Sequence, residues 1–247
     1  MYPGISNFLF GSFAFSGSPA ITANREVGKP FGTLIGLGFK RNAAGDILID
    51  NDGYPLTQNN VNFGSFLPDY TGGFTTMVNF KGFYAGLSMD FQIGGKYMSI
   101  TNMFNAGSGL AAETAGLNEN GKPKRDDIST GGGVLFHGIV ESTGKPNTTY
   151  ADAQTLYESH LFSLWENWVY DATFVKLREV SIGYNFPSKW VSKIGGQSGS
   201  FSIITQNPWL IYADSKKIDP SQLEGTWNEG GQLPATKSIG FNLKIVF

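Results

Sequence analysis

Residues 239–247 read IGFNLKIVF, and this stretch decides how the rest of the chain is interpreted. Every second residue is apolar, from Ile239 to Phe247. Such period-two alternation predicts a β-strand with one apolar face. A soluble domain rarely ends on a large exposed ring, because chain termini fray and an unburied ring adds no burial free energy. We therefore expect the apolar face of this strand to meet something other than water.

The composition favours a single all-β body. A length of 247 residues allows one large all-β domain or two smaller ones. The chain contains 33 Gly, 20 Phe and 10 Tyr, whereas charged residues make up only 15%, which is low for a globule in water. No apolar run is long enough for a membrane-spanning helix. The mean hydropathy of −0.14 is compatible with strands of a membrane barrel, in which only alternate residues face lipid.

Several classes of function are excluded. A net charge of −2 provides no basic surface for nucleic acid, and a chain without cysteine forms neither disulfides nor thiolate sites. The only histidines, His137 and His160, have no companion at metal or catalytic-triad spacing. Asp50 and Asp52 precede Gly53 as in a calcium loop, but the glutamate of that loop is missing, so we interpret them as a hairpin turn. We expect no enzyme activity, no catalytic residue, no metal and no cofactor.

The clearest strand pair lies between Gly73 and Gly94. Lys81 and Gly82 form a tight turn, with Gly82 available for positive φ. The second strand alternates apolar and polar residues, so we expect one face to meet lipid and the other to line a lumen. The expected lipid-facing residues are Phe83, Leu87, Phe91 and Phe241, and the expected lumen-facing residues are Tyr84, Ser88, Gln92 and Asn242.

A strand between Thr173 and Phe186 changes phase at Arg178 and Glu179. Because a slip of one residue moves every later side chain to the other face, the change predicts a β-bulge at these two residues. We interpret Asp171, Arg178 and Glu179 as a polar ladder at the mouth of the lumen rather than as catalytic residues.

Further strands are predicted at Phe31 to Phe39, from Phe201 towards Tyr212, and more weakly at Ile5 to Phe15. The total is about seven strands. A short helical turn follows Pro187, and the spacing of Tyr157, Leu161, Leu164 and Trp168 predicts an amphipathic helix between Ala151 and Trp168.

The lengths of the connections favour a barrel over a sandwich. Membrane barrels keep short turns on the periplasmic side and long loops outside. Counted back from a periplasmic C-terminus, the predicted connections alternate as barrel connections should. Residues 41–72, 95–171 and 213–236 fall outside, and residues 16–30, 81–82 and 187–198 fall inside.

Three stretches resemble segments of SusC/RagA-type TonB-dependent transporters. Residues 68–74 (PDYTGGF) and 80–83 (FKGF) resemble the PDxTGGF and KGF segments of that family. Residues 171–187 (DATFVKLREVSIGYNFP) resemble its DASFLRLRNLSLGYxLP strand, which is the most specific of the three. Residues 206–209 (QNPW) and 218–220 (IDP) are similar to its GQNL and GxDPE segments. The terminal Phe247 also resembles the outer-membrane signal of such barrels.

The resemblance implies that residues 1–247 are the C-terminal portion of an all-β transmembrane barrel with long extracellular loops. Members of the family have an N-terminal plug inside a barrel of about 22 strands, a segment that binds TonB, and a SusD-like lipoprotein over the extracellular mouth. The plug, the TonB box and the N-terminal strands are absent from these residues. Since no signal peptide precedes the first strand either, we expect the remainder of the barrel and plug to be supplied from outside this sequence.

The implied function is nutrient import across the outer membrane of a Gram-negative bacterium. The cargo would be an oligosaccharide or a peptide, with outer-membrane lipid, TonB and a SusD-like lipoprotein as partners. An alternative is a soluble β-sandwich module that binds carbohydrate. Four aromatic residues fall in or near predicted outer loops, where they either stack on a ligand or serve in packing or an interface belt. They are Trp165, Trp168, Tyr212 and Trp227.

Overall fold

The computed structural model describes residues 7–14, 18–215, 218–223 and 225–247. Most of its regular structure is strand. The strands are β1 Asn7–Phe13, β2 Ile21–Glu26, β3 Thr33–Phe39, β4 Leu48–Ile49, β5 Thr57–Ser65, β6 Tyr70–Phe80, β7 Phe83–Ile93, β8 Lys96–Ser99, β9 Val134–Leu135, β10 Ile139–Val140, β11 Lys145–Pro146, β12 Tyr150–Ala151, β13 Val169–Asp171, β14 Phe174–Asn185, β15 Ser198–Ala213, β16 Asn228–Glu229 and β17 Ser238–Val246. The α-helices are α1 Ile100–Gly107, α2 Ala153–Thr155 and α3 Ser188–Val191.

The chain forms two compact units. The loop unit comprises the described residues up to Leu67, Lys96–Tyr170 and residues 225–231. The sheet unit comprises Pro68–Gly95, the described part of Asp171–Leu223, and Gln232–Phe247. Among the described residues, no helix combines the length and the apolar character needed to cross a membrane.

The sheet unit contains one antiparallel sheet of five strands in the order β17-β15-β14-β7-β6. Strands β6 and β7 pair without a break down to Phe80 and Phe83. The turn between them places Lys81 at φ 47° and Gly82 at φ 89°, a pair of positive angles that matches the twist of a two-residue hairpin. The predicted strand pair and its turn are therefore confirmed.

The predicted irregularity in β14 is also confirmed. The register of β14 shifts between Leu177 and Glu179 against both of its neighbours, β7 and β15. Arg178 is the extra residue, so two residues of β14 oppose one residue of β7, as in a β-bulge. The turn after Pro187 is helical as predicted, with α3 followed by a 3₁₀ turn at Ser192–Ile194 that ends at Gly195 (φ 78°).

The loop unit contains an antiparallel sheet in the order β1-β2-β3-β5. The strand predicted at Ile5 to Phe15 corresponds to β1, although Ile5 and Phe15 lie outside the described residues. Strands β2 and β5 are not among the predicted strands and lie within predicted connections. The sequence of β5 (TQNNVNFGS) lacks apolar alternation, because β5 is held in place by pairing with β3. The described residues thus hold nine strands of six residues or more, compared with the predicted seven.

Helical segments pack with this sheet around one hydrophobic core. The continuous helix predicted between Ala151 and Trp168 is wrong, because the segment breaks into α2, a π turn at Leu156–His160 and a 3₁₀ turn at Trp165–Trp168. The Trp168 indole donates to the carbonyl of Leu161 (2.8 Å), which a continuous helix would use for its own hydrogen bond. The buried core includes Ile21, Leu34, Met98, Met103, Leu156, Leu164, Trp165 and Trp168.

One part of the predicted sidedness is wrong. The sequence predicts residues 16–30 on the opposite side from residues 95–171. However, Trp165 Nε1 donates to the carbonyl of Pro19 (2.7 Å), and Ser18 Oγ donates to Ser163 Oγ (2.7 Å). The alternation of sides does not hold here because β2 adds a strand within residues 16–30, which the sequence presents as a single connection.

Candidate functional site

The register of the five-stranded sheet assigns its residues to two faces, because directly opposite residues of antiparallel strands share a face. One row crosses all five strands on the first face, and the next row crosses them on the other. The first row is Val78, Ala85, Ile182, Ile203 and Phe241, and the second is Asn79, Tyr84, Gly183, Ser202 and Asn242. This register places the two predicted sets on opposite faces, as expected. One face holds Phe83, Leu87, Phe91 and Phe241, and the other holds Tyr84, Ser88, Gln92 and Asn242.

The apolar face is exposed within the sheet unit. Ile182 is 58% exposed and Phe241 is 72% exposed, although both lie within strands rather than in loops. Contiguous exposed apolar surface of this kind marks contact with lipid or with another protein.

The polar face is closely fitted. A Cβ atom at Gly183 would overlap the ring of Tyr84, the residue opposite it in β7. Any larger residue at this position would force the Tyr84 ring to move, and with glycine the ring covers the gap that the missing side chain leaves in the face.

A charged cluster surrounds the bulge on the polar face. Arg178 Nε lies 2.9 Å from both carboxylate oxygens of Asp90, and Arg178 Nη2 lies 2.8 Å from Asp90 Oδ2. Asp90 is opposite Lys176 in the register. Because the bulge adds one residue, Lys176, Arg178 and Glu179 all belong to the polar part of β14.

A distant segment is anchored to this cluster through Lys176. The Lys176 side chain is 2% exposed, and its Nζ donates to Asp219 Oδ2 (2.5 Å) and to Ser221 Oγ (3.0 Å). Burial alone would raise the pKa of Asp219, but hydrogen bonds from Lys176 and Ser221 outweigh it and hold this pKa below its ordinary value of 3.8. Residues 218–223 are therefore held on the polar face of β14 by an ion pair.

Comparison with known proteins identifies the kind of molecule to which this sheet corresponds. Over 195 residues the chain is 25% identical to TonB-dependent receptor P3 of Formosa agariphila, a match that covers 78% of this chain and 16% of the receptor. The predicted resemblance to TonB-dependent transporters is confirmed. No family model matches the chain.

Solved structures agree with this sequence match. The RagAB peptide importer in its open-open state superposes with a TM-score of 0.59 at 14% identity, covering 100% of this chain and 25% of that chain. Its closed-closed state gives a TM-score of 0.58 at 14% identity, covering 99% and 25%. The chain has the fold predicted for it, antiparallel strands of a large barrel with long loops. The matched proteins are a receptor and an importer rather than enzymes, in agreement with the prediction that this chain is not an enzyme.

Three of the four aromatic residues predicted as ligand contacts lie in the core of this transporter-like chain. Trp165, Trp168 and Trp227 are 0%, 2% and 7% exposed. An indole stacks on a ligand only through an exposed ring face, so their burial favours the packing interpretation. Tyr212 is 51% exposed on β15, and its contact with a ligand stays a prediction.

Asp171 and Arg178 of the predicted polar ladder and Asp50 of the predicted hairpin turn have structural partners. Asp171 Oδ1 accepts a hydrogen bond from the Thr173 N–H (2.9 Å), and Arg178 pairs with Asp90, a residue that sequence reasoning missed. The predicted hairpin turn is confirmed, since Asp50 Oδ1 accepts from the N–H groups of Asp52 (3.0 Å) and Tyr54 (2.8 Å).

Neither histidine joins a metal site in the described part of the chain. His160 stacks on Tyr54 with ring centroids 4.0 Å apart. Among the described residues, no group of three His, Asp or Glu residues could hold a metal ion.

The Lys176–Asp219 pair also escaped sequence reasoning. The available signal was a lysine inside the otherwise apolar run Phe174, Val175, Lys176 and Leu177. A buried lysine requires a partner, but the sequence alone does not say which of its carboxylates that partner is.

Proposed function

We propose that this chain forms part of the wall of a TonB-dependent transporter in the outer membrane of a Gram-negative bacterium, importing oligosaccharides or peptides together with a SusD-like lipoprotein. The observation that carries the proposal is the five-stranded sheet with one exposed apolar face and one polar face. Lipid would contact the apolar face, and the aqueous passage would run along the polar face.

The dimensions of the strands support this placement. Strands β6 and β7 each have 11 residues. At a rise of roughly 3.3 Å per residue, each is long enough to cross the hydrocarbon layer at a tilt.

The two unpaired outer strands of the sheet support the proposed partners. Among the described residues, β6 pairs only with β7 and β17 pairs only with β15. An unpaired strand edge in hydrocarbon costs several kcal/mol per backbone group. We therefore place further strands of the same barrel against both edges, with the plug inside the barrel and TonB bound through that part of the transporter.

The similar proteins support import as the process. The curated relative is a TonB-dependent receptor, and the RagAB structures are those of a peptide importer. The chain spans 16% of the length of that relative, so the activity of a whole transporter is proposed here. In this proposal the chain contributes a wall and outer loops to gated passage and performs no covalent step.

Fractionation of cells that express the chain from its native locus tests the membrane placement. We expect a tagged chain to sediment with outer-membrane markers, to resist carbonate extraction and to require detergent for release. A periplasmic enzyme and a known outer-membrane barrel serve as controls. Recovery in the aqueous fraction would contradict the proposal and would revive the soluble carbohydrate-binding module.

Uptake measurements test the activity. Deletion of the locus should abolish the import of labelled peptides or oligosaccharides, and the wild-type locus should restore it. Unchanged import of both cargo classes after deletion would contradict the import function, whatever the location of the chain.

A further inference from the structure

Residues 218–223, which we call the strap, are attached to the polar face of the sheet unit through a single side chain. The Lys176 ammonium group donates to Asp219 Oδ2 and to Ser221 Oγ. Among the described residues, no other hydrogen bond joins the strap to the rest of the chain. Of the six strap residues, only Pro220 is buried. The position of the strap on β14 therefore depends on one cation.

The strap is ordered by its own hydrogen bonds. Asp219 Oδ1 accepts from the Ser221 N–H (3.0 Å) and hydroxyl (2.7 Å), and the Gln222 N–H donates to the carbonyl of Asp219 (3.1 Å). These bonds cap and close the 3₁₀ turn Pro220–Gln222. Because none of them involves β14, the turn keeps its bonds when the strap leaves the sheet, and we expect the strap to move as one body.

Residues 225–231, in the same connection between β15 and β17, are held by many contacts. The Met98 N–H donates to the carbonyl of Trp227 (2.9 Å), and the Trp227 side chain is buried. Glu229, also buried, accepts from the Ser99 hydroxyl (2.6 Å), and β16 pairs with β8. One part of the connection is thus fixed in the loop unit, whereas the strap has the few buried contacts that characterise a locally opening segment.

The chemistry of the attachment makes it reversible. The Lys176 side chain is 2% exposed, so burial of its ammonium group costs hydration free energy that the pair with Asp219 offsets. When the strap leaves the sheet, both charges regain water, and only a small net free energy separates the closed and open positions. An apolar attachment has no such compensation, because opening would expose apolar surface to water.

We propose that the strap is a latch that opens and closes over the polar face of the sheet by breaking and re-forming the Lys176–Asp219 ion pair. The inference deepens the proposed function, on which its role in transport rests. Since the polar face lines the aqueous passage in that function, the closed strap narrows the passage and the open strap widens it.

Acylation of lysines by a water-soluble N-hydroxysuccinimide ester tests the opening in the assembled wild-type transporter in detergent, with mass spectrometry as the readout. Lys244 is the internal reference, because it is exposed and lies on the same polar face, opposite Ser200. Lys176 should react roughly tenfold or more slowly than Lys244. The ratio should stay constant in urea below the unfolding transition, because opening of the strap exposes little surface.

The wild-type measurement decides the proposal even if a variant fails to fold. Equal rates at Lys176 and Lys244 would show that the strap is not closed. A ratio that rises with urea as steeply as global unfolding would show that Lys176 becomes accessible only when the whole protein unfolds. Either result would overturn the proposal.

Asp219→Asn weakens the latch while keeping an oxygen for the Ser221 N–H. It should raise the rate at Lys176, relative to Lys244, roughly tenfold, because the charge-assisted hydrogen bond is lost. Asp214→Asn is the matched control. It removes the same charge from the same connection, but Asp214 is exposed and forms no ion pair with described residues. The control should leave the ratio unchanged, and equal ratios in the two variants would contradict the latch.

A thiol distinguishes opening of the strap from a change in the reactivity of the Lys176 amine. The chain has no cysteine, so Pro220→Cys places a single thiol at the buried position of the strap. In the Asp219→Asn background, its reaction with a maleimide should accelerate about as much as the acylation of Lys176 does. Faster acylation without a faster maleimide reaction would show that the strap stays closed and that the proposal is wrong.

Carbodiimide coupling locks the closed strap and tests its role in import. The reagent activates the Asp219 carboxyl group, and the deprotonated Lys176 amine, 2.5 Å away, attacks the activated carbonyl. An amide forms, and the carbodiimide leaves as a substituted urea that has taken up the water lost in the coupling. In cells treated with this reagent, import of the labelled cargo should be slower. Asp219→Asn treated in the same way corrects for coupling at other carboxylates.

The outcomes separate the latch from the proposed function. Unchanged import after coupling that mass spectrometry has verified would overturn the role of the strap in transport and leave the import function standing. Failure of the fractionation or uptake experiments would overturn the import function, whereas the acylation and maleimide rates would still decide whether the strap opens.

Discussion

The loop unit and the sheet unit place their large apolar side chains in opposite environments. In the loop unit, Leu34, Met103 and Trp165 are fully buried around one core. In the sheet unit, Ile182 and Phe241 are more than half exposed along one face. The first arrangement is stable in water, because burial supplies its free energy internally. The second obtains the same free energy only when lipid or another protein covers its exposed apolar face. The two units of one chain therefore satisfy the hydrophobic effect in different ways.

The largest expected effect is in the core of the loop unit. Trp165→Ala removes a fully buried indole that packs edge-on against Phe13 and donates to the carbonyl of Pro19. We expect a loss of about 3–5 kcal/mol, measured as faster hydrogen exchange of the β3 amides. Leu110, which is 80% exposed in the same unit, is the control, and Leu110→Ala should change stability by less than about 0.5 kcal/mol. Equal effects would remove the contrast between core and surface.

The next effect tests the two faces of the sheet. Leu87 and Ser88 are neighbours in β7 that face opposite sides, since Leu87 pairs with Val180 and Ser88 with Glu179. In lipid, Leu87→Lys should cost about 2–4 kcal/mol, whereas Ser88→Lys should cost less because its ammonium group stays in water. Urea titration of the assembled transporter in vesicles measures both. Similar costs would show that the apolar face does not meet lipid.

The sheet unit was more predictable from sequence than the loop unit for a physical reason. Alternation in β7 and β17 follows from the separation of apolar and polar side chains onto two faces of the sheet, and the phase change at Arg178 marks the bulge directly. In the loop unit, β5 has no such pattern, because its position is determined by pairing with β3. The Lys176–Asp219 pair could not be predicted for a similar reason, since the two residues are brought together only by tertiary packing.

A smaller effect concerns the anchor on the polar face. Asp219→Asn leaves the ammonium group of Lys176 buried without its charged partner, which should cost about 1–3 kcal/mol. Asp214→Asn is the control, because Asp214 is exposed and forms no ion pair with described residues.

The same pair predicts a pH dependence. The pKa of folded Asp219 lies below its ordinary value of 3.8, so its contribution to stability is present above that value and is lost as the pH falls through the folded pKa. Urea titrations at several acidic pH values should show this loss in the wild type and a smaller one in Asp219→Asn. An identical pH dependence in both would show that another carboxylate is responsible.

The smallest effect sharpens the comparison at the turn between β6 and β7. Lys81 adopts φ 47°, a left-handed conformation that asparagine tolerates better than lysine. Lys81→Asn creates the Asn-Gly pair favoured in two-residue hairpins, and the gain is partly offset by loss of the Lys81 ammonium above the Phe80 ring (5.2 Å). We expect a net stabilisation of about 0.5 kcal/mol.

Gly82→Ala should act in the opposite direction, because φ is 89° and the new Cβ would lie 2.9 Å from the Tyr184 ring. Both changes lie in the turn itself, and the midpoint of urea unfolding in vesicles measures their effects on stability. A destabilised Lys81→Asn would show that the cation over Phe80 outweighs the backbone conformation.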